Sequence, residues 1–436
     1  MTTGEEQTAP AANRPGPGRR TGTRGIVGRL SWGLADQAAS SLSNFVVGIY
    51  VARSLGLTAF GAFSLAWVTY GVVLNVSRGL ATDPLVVRFS GVPEASWRGA
   101  VARSSGTALV VGAVIGAVCL AAGLGVGGDV GPAFAGLGVM LPGLLLQDAW
   151  RYAFFAAGDG RKAFVNDVVW GVALVPAMVV AAQVGSVAAF ILAWGSSAAV
   201  AAVYGCVQSR IRPRPAEARE WLRDHRDLGT RYLVENVGLS GASQLRAYGL
   251  GAIVGVGAVG EVRGAELLLG PFLAVLMGLS LVTVPEAARV LRQAPERLGR
   301  FCLLLGGGQT VAALLWGAAL LLMPDRLGEL VLGDVWSGAS ALIVPVTLSV
   351  AAAGLGTGAA GGLRALAAAR RSLRCQLFAS ACYVGGGLGG AVAGGTIGSA
   401  WGVAAASLCG SAVWWLQLRA ALRERHHHPI PEARNP

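Results

Sequence analysis

The sequence predicts an all-α polytopic membrane protein, with about twelve transmembrane helices in two parallel six-helix lobes. Three observations favour this fold class. Of the 436 residues, 54% are hydrophobic and only 13% are charged, and the apolar residues fall into separate runs. Each run has about the 20 residues that a spanning helix needs. A soluble protein of this length carries roughly a quarter charged residues, so a bilayer is needed to cover this apolar surface.

The apolar runs form two sets of six. In the first set, helices are predicted near 30–53, 59–82, 99–125, 132–156, 163–184 and 187–209. In the second set, they are predicted near 229–254, 257–282, 300–323, 338–361, 375–396 and 398–420. Prolines at 142, 176, 271 and 345 lie within these runs and predict kinks.

Polar segments set the expected domain boundaries. Residues 1–27 contain Pro, Gly, Thr and Arg without an apolar run, which predicts a disordered cytoplasmic tail. A basic cytoplasmic linker at 210–228 separates an N-terminal six-helix lobe (28–209) from a C-terminal six-helix lobe (229–420). Residues 421–436 form a second cytoplasmic tail.

Basic residues predict the orientation. Most of the 35 basic residues fall in the two tails and in alternate loops. The other loops hold only Arg53, Arg263 and Arg326, while Arg78 and Arg246 lie within helices. By the positive-inside rule, both termini are cytoplasmic. The net charge of +12 is spread between apolar runs rather than gathered on one domain, so a nucleic-acid partner is not expected.

The two halves show an internal repeat. Equivalent positions drift from an offset of 199 residues through 201 to 203 along the chain. The matches are Gly56, Ala59 and Gly61 with Gly255, Ala258 and Gly260, then Pro84 and Arg88 with Pro285 and Arg289, then Pro142 and Arg161 with Pro345 and Arg364. Since both halves start on the same side, the repeat is parallel. Parallel repeats recur in transporters that rock one half against the other.

Two stretches carry a family resemblance. Residues 34–88 contain Asp36-Gln37, Ser-x-x-Asn-Phe, V-A-R-S-L-G and F-G-x-F, and residues 146–171 read LQDAWRYAFFAAGDGRKAFVNDVVWG. Both resemble polysaccharide transporters and oligosaccharide flippases of the multidrug/oligosaccharidyl-lipid/polysaccharide (MOP) exporter superfamily. The resemblance implies a MATE-like, V-shaped pair of lobes around a central cavity. It also implies flipping of a lipid-linked oligosaccharide or polysaccharide precursor across the bacterial plasma (inner) membrane, in polysaccharide biosynthesis or cell-envelope and lipopolysaccharide export.

Other function classes are less consistent with this sequence. A cation-coupled exporter of drugs or metabolites with the same fold remains the main alternative, and a non-transporting scaffold is a third. The second loop lacks the G-x-x-x-D-R-x-G-R-R pattern of the major facilitator architecture. An enzyme is not expected, because the four histidines all lie in predicted cytoplasmic segments and external loops are short. We expect no cofactor or metal site, and a monomer embedded in the lipid bilayer.

Charged residues within spanning helices are the first site candidates, because such charges usually face a cavity or each other. Counting from the predicted turns puts Asp36 and Arg78 at one depth near the cytoplasmic end. Arg246 and Glu266 each lie about 15 Å from their turn, close to the midplane. Either pair would neutralise itself. Glu235 has no evident partner, which makes it the candidate for ion coupling.

Polar residues near these charges complete the candidate set. Asn44 and Gln244 lie near the midplane and would bind sugar hydroxyls or a neighbouring helix. Gln37 and its repeat mate Asn236 lie beside the acidic residues. Arg246 is the candidate for a diphosphate head group, because a guanidinium matches phosphate geometry. The alternative is that these charges only fix helix packing.

Overall fold

A computed structural model describes Leu42 and residues 44–427, with backbone alone at 235, 237–240, 274–282, 284–285 and 426–427. Helix α1 covers residues 44–54. The rest of the first half consists of α2 (Leu57–Ser77), a π-helical turn (Arg78–Thr82), α3 (Asp83–Phe89), α4 (Glu94–Gly125), α5 (Val130–Ala156), α6 (Gly160–Val184) and α7 (Val187–Ser209). Helices α2 and α3 run on through the π-turn as one spanning unit, Leu57–Phe89.

A short helix, α8 (Ala218–Asp224), lies in the linker. The second half consists of α9 (Arg226–Ile253), α10 (Val256–Leu268), α11 (Gly270–Gln293), α12 (Leu298–Leu321), α13 (Asp325–Leu332), α14 (Trp336–Ala341), α15 (Ile343–Ala365) and α16 (Ala369–His427). Helix α16 bends at Gly394 and Gly395, where the backbone leaves helical geometry. It therefore makes two limbs that cross the bundle in opposite directions.

The predicted helical membrane fold is confirmed. Within the described residues, eight helices are long and apolar enough to cross a membrane, and no strand occurs. Seven of these eight cross the bundle once and α16 crosses it twice. With α1, α9 and the α10–α11 pair, the described chain crosses the bundle twelve times. Large apolar side chains such as Val172, Leu315 and Val392 are about two-thirds exposed or more, as expected where lipid covers the surface.

Two segments differ from the expected helices. The eighth spanning helix breaks at Leu269 into α10 and α11. Pro271 lies in the first turn of α11, where a backbone N–H has no partner within the helix, so a proline costs no hydrogen bond there. The tenth begins at Ile343 rather than near 338, because α13 and α14 fill the preceding connection. That external connection is therefore folded rather than a plain loop.

The halves meet in a reciprocal glycine contact between α2 and α10. A Cβ atom on Gly61 would overlap the carbonyl oxygen of Val256, and one on Gly260 would lie 2.8 Å from that of Leu57. Gly61 and Gly260 are 199 positions apart in the sequence, and so are Leu57 and Val256. The contact therefore has the symmetry that the predicted repeat requires, with its axis between α2 and α10.

The irregular parts of α2–α3 and α10–α11 explain why the repeat offset changes. Between Gly61 and Pro84 the first half contains the π-turn, and between Gly260 and Pro285 the second half contains the break at Leu269. The offset rises from 199 to 201 across this same interval. A two-residue length difference is thus absorbed by local irregularity, which leaves the flanking helices in equivalent positions.

The bundle has two ends. We call the end with the α1–α2, α9–α10 and α12–α15 connections the turn end, and the opposite end the linker end. The sequence predicts that the linker end is cytoplasmic. The reciprocal glycine contact lies at the turn end, because Leu57 and Val256 begin their helices there.

The linker is fastened to the first half. Trp221 of α8 is fully buried and donates a hydrogen bond to the carbonyl of Leu80 at 3.3 Å. Arg103 binds Asp224 at 2.8 Å and lowers the pKa of that carboxyl. His225 stacks on Trp221 with ring centroids 3.9 Å apart, and burial lowers the pKa of its imidazole. The second half therefore begins from a fixed point on the first.

Candidate functional site

Three charged side chains of the second half form a triad. Arg246 on α9 donates a hydrogen bond to Glu266 on α10 at 2.9 Å, which confirms the pairing predicted from equal depth. Arg263, one turn before Glu266 on the same helix, lies 3.4 Å from the other carboxylate oxygen. Arg246 is only 6% exposed, whereas the Glu266 side chain is 34% exposed. Two cations thus share one anion, leaving a net positive group.

A cavity of about 430 Å³ lies against this triad. All three triad residues line it, together with Asn44 from α1 and apolar side chains such as Phe45 and Val403. The Arg246 guanidinium lies 5.3 Å from the centre of the Tyr383 ring, a cation–π distance. Its Nε atom is buried without a hydrogen-bond partner among the described residues. Arg246 therefore has donor capacity that Glu266 does not use.

A glycine makes room for Arg246. A Cβ atom on Gly387 in α16 would lie 2.8 Å from the Arg246 Cδ atom. The first limb of α16 consequently approaches the arginine stem as closely as its backbone allows. This packing fixes the guanidinium between Tyr383 and Glu266.

A second cavity, of about 480 Å³, shares Tyr383 with the first. It lies among α9, α11, α15 and both limbs of α16, and its walls are rich in Ser, Thr, Gly and Ala. Ser349, which lines the first cavity, hydrogen-bonds Ser407 of the second at 2.9 Å. Tyr383 and this serine pair thus form the partition between the two cavities. Exposed Arg364 lines the second cavity near the linker end.

The first half holds a separate buried charge network. Arg78 makes a bidentate contact to Asp148 on α5, at 2.7 and 3.0 Å. Arg151, one turn later on α5, lies 3.2 Å from Asp167 on α6. Asp148 is 3% exposed and Asp167 is 8% exposed. The two arginines and two aspartates balance, so the network carries no net charge.

Amides complete this network. Gln147 donates to Asp167 at 2.8 Å and to Asn166 at 3.3 Å, and Asn166 donates to the carbonyl of Ala201 on α7 at 2.8 Å. The network therefore joins α2, α5, α6 and α7. Such hydrogen-bonded networks hold helices in one arrangement.

This network departs from what the sequence suggested. Arg151 lies inside α5 with its side chain 11% exposed, so it is not one of the basic residues of the loops. Arg263, counted in a loop, lies within α10. Arg78 was expected to face Asp36; its partner among the described residues is Asp148, and Asp36 lies outside them. The polar pairs Gln147-Asp148 and Asn166-Asp167, each in an apolar run, were the available signal.

The remaining candidates join the two halves. Asn236 donates to Asp83 of α3 at 2.7 Å, and the Gln244 amide nitrogen lies 3.5 Å from where a Cβ of Gly71 would stand. Nearby, Thr69 and Tyr248 hydrogen-bond at 2.8 Å between α2 and α9. Asn236 and Gln244 thus lie at the junction of the halves. Gln37, like Asp36, lies outside the described residues, as does the side chain of Glu235.

The sequence matches no protein-family model and no curated protein. Solved structures do match. An inward-facing multidrug resistance MATE family transporter of the MOP superfamily superposes with a TM-score of 0.74 at 15% identity, over 89% of this chain and 96% of that chain. The lipid II flippase MurJ, in an inward closed conformation, gives 0.67 at 7% identity, over 89% of both chains. An outward-facing MATE family transporter gives 0.53 at 15% identity, over 93% of this chain and 96% of that chain. The predicted MATE-like fold is confirmed.

Proposed function

We propose that this chain is a membrane transporter that flips an anionic lipid-linked oligosaccharide or polysaccharide precursor by alternating access. One observation carries the choice of cargo. Glu266 is held by Arg246 and Arg263, so the triad presents a net positive charge to its cavity. Arg364 adds a further cation to the second cavity. A positive wall suits a lipid diphosphate and opposes a cationic drug.

Alternating access is supported by the fold and by the reciprocal glycine contact. The chain superposes better on the inward-facing MATE structure than on the outward-facing one. At the turn end, Gly61 and Gly260 bring α2 and α10 into backbone contact, as a closed outer side requires. Separating these two helices would open the turn end, while the linker end closes. The predicted cytoplasmic linker end agrees with cargo that is made inside the cell.

Arg246 is the proposed diphosphate contact. Its guanidinium is buried, is oriented by Tyr383 and Gly387, and belongs to a residue that lines the cavity. An entering diphosphate would take hydrogen bonds that Glu266 now accepts. Since a guanidinium pairs with phosphate oxygens as it does with a carboxylate, a diphosphate can replace Glu266 as the partner of Arg246.

The test is a cellular and a purified measurement with matched variants. Membrane lipids of a strain lacking the protein are analysed by mass spectrometry, and we expect a polyprenyl-linked oligosaccharide to accumulate. The wild type should clear this lipid fully, and Arg246→Lys should clear it partly. Arg246→Gln should not clear it. If Arg246→Gln clears the lipid and only Arg246→Glu fails, Arg246 balances charge and does not contact phosphate. If no lipid-linked glycan changes, the flippase proposal is wrong.

A small-molecule exporter is the second candidate. The two cavities, of about 430 and 480 Å³, have the volume of drug-sized sites, and two of the solved structures with this fold are multidrug resistance transporters. Cation coupling would then involve acidic residues, with Glu235 the first candidate. Efflux of cationic dyes that is lost in Glu235→Gln and Glu266→Gln would favour this function over flipping.

A further inference from the structure

The second cavity, which we call the hydroxyl chamber, combines polar and flat apolar surfaces in an unusual way. Its hydroxyl-bearing residues come from α9, α11, α15 and both limbs of α16: Ser243, Thr283, Thr357, Ser380, Ser407 and Ser411. We propose that the hydroxyl chamber binds the sugar next to the diphosphate of a lipid-linked glycan. The proposal rests on the flippase function and assigns the sugar a place separate from the triad.

A buried hydroxyl points to a ligand. Ser411 is 5% exposed, and its Oγ atom has no hydrogen-bond partner among the described residues. A Cβ on Gly356, which also lines the chamber, would lie 3.6 Å from that oxygen. A buried hydroxyl without a partner is unfavourable, and a hydroxyl group of a bound ligand would supply the missing hydrogen bond. Ser411 is therefore a chamber-lining residue whose hydroxyl has no partner among the described residues.

Aromatic rings supply the apolar part of the chamber. Trp414, 7% exposed, and Tyr383 both line it, on the two limbs of α16. Sugars have polar edges and an apolar face of C–H groups, so they fit sites that alternate hydroxyls with flat rings. A lipid tail would not need these hydroxyl groups. The small glycine and alanine residues between the hydroxyl-bearing residues leave the space of the chamber open.

The position of the chamber matches the order of groups in such a lipid. Tyr383 separates the chamber from Arg246, which lies within cation–π distance of that ring. The triad cavity beyond is lined by apolar side chains such as Phe45, Leu273 and Val350. The sugar would then lie in the hydroxyl chamber, and the diphosphate would bind Arg246. The first isoprene units would lie against the apolar wall of the triad cavity.

Two substitutions test the chamber without touching the triad. Gly356→Ala adds a methyl at ordinary contact distance from its neighbours, so it fills space without forcing the helices apart. Ser411→Ala removes the unpartnered hydroxyl. Gly308→Ala is the matched control, because a Cβ there meets nothing within 4 Å. All three change a small residue on a described helix.

The measurement is equilibrium binding to the full chain in lipid nanodiscs, with two probes. One is a polyprenyl diphosphate that carries a disaccharide, and the other is the same polyprenyl diphosphate without sugar. We expect wild type to prefer the glycosylated probe, and Gly356→Ala to weaken that probe alone by about tenfold. Ser411→Ala should weaken it in the same direction, while Gly308→Ala should bind both probes as wild type does.

The outcomes separate the two proposals. Equal binding of both probes to wild type, or equal weakening of both in Gly356→Ala and Ser411→Ala, overturns the hydroxyl chamber as a sugar site while diphosphate recognition stands. Binding of neither probe to wild type overturns the flippase proposal as well. Loss of the preference for sugar in both variants, with bare lipid unaffected, is the result that the chamber requires.

Discussion

The two halves share a fold but use buried charge differently. In the first half, Arg78 and Arg151 face Asp148 and Asp167, and amides take up the remaining bonds. In the second half, Arg246 and Arg263 share Glu266 at the wall of a cavity. One arrangement is closed and neutral, whereas the other is open and positive.

The contrast indicates a division of labour. A buried pair whose members satisfy each other contributes helix packing and offers nothing to a ligand. An excess cation beside a cavity is different, because an anionic group that enters the cavity can neutralise its charge. We therefore expect substitutions in the first-half network to act on stability, and those in the triad to act on cargo.

The largest effect should come from Asp148→Asn. It leaves Arg78 without its bidentate partner in a buried setting, so the loss of stability should be about 3–5 kcal/mol. Thermal unfolding in detergent measures it. Adding Arg78→Gln should restore part of the loss, and the double variant should still clear lipid-linked glycan. A normal unfolding temperature with abolished transport would instead assign the network to function.

A smaller effect is expected at the reciprocal glycine contact, where the halves are equivalent. Gly61→Ala should push α2 from α10 at a cost of about 1–3 kcal/mol and favour an open turn end. Gly260→Ala should act in the same direction but less, because its Cβ would lie farther from the facing carbonyl.

Distances between spin labels at Thr58 and Val254, in a cysteine-free background, report on this opening. Gly56→Ala is the matched control in the same hairpin, since its Cβ meets no atom within 4 Å. Distances that stay the same in Gly61→Ala and Gly260→Ala would show that the contact does not hold the turn end closed.

Glu266→Gln should cost about 1–2 kcal/mol of stability, because it leaves buried Arg246 without its partner but removes a carboxylate that is itself partly exposed. Its effect on cargo is more informative. Removing the anion leaves two arginines at the cavity, so binding of a polyprenyl diphosphate should be kept or strengthened. Asp148→Asn serves as the comparison in the other half. Weaker lipid binding in Glu266→Gln would contradict a positive recognition site.

The smallest effect concerns the linker. Burial lowers the pKa of His225, and the neighbouring Arg88 and Arg103 act in the same direction, against the Trp221 carbonyl and Asp224. An unfolded histidine takes up its proton as the pH falls through about 6.5, before the docked one does. Stability is therefore full above this pH and is lost below it.

We expect the unfolding temperature to fall by about 1–2 °C between pH 7.5 and 5.5. His225→Phe keeps a ring for stacking on Trp221 and lacks the titrating group. This variant should remove the part of the pH dependence that is due to the linker, whereas a profile identical to wild type would show that His225 does not contribute.

Much of the fold was predictable because bilayer thickness imposes a length on every apolar run. The pairing of Arg246 with Glu266 followed from depth alone, since adjacent antiparallel helices bring residues equally far from their turn to one level. The Asp148 and Asp167 partners did not follow. They depend on how α2, α5 and α6 rotate about their axes, and helices that are apolar on all sides give no periodic signal for rotation.

The cavities could not be predicted from the sequence for a related reason. The hydroxyl chamber gathers residues from five helical segments between Ser243 and Trp414, and single Ser or Thr residues are common in any spanning helix. The folded α13–α14 connection was not predicted, because helices of eight and six residues are too short to be recognised as spanning runs.

The reciprocal glycine contact also bears on how such a chain is assembled from halves. Two copies of one half, related by the axis between α2 and α10, would each give the other a glycine and a carbonyl, as in an isologous homodimer. In such a dimer every substitution occurs twice. Once two copies are fused, a residue such as Asp148 can be acidic in one half while its counterpart in the other half changes. The neutral network of one half and the charged cavity wall of the other can then change independently.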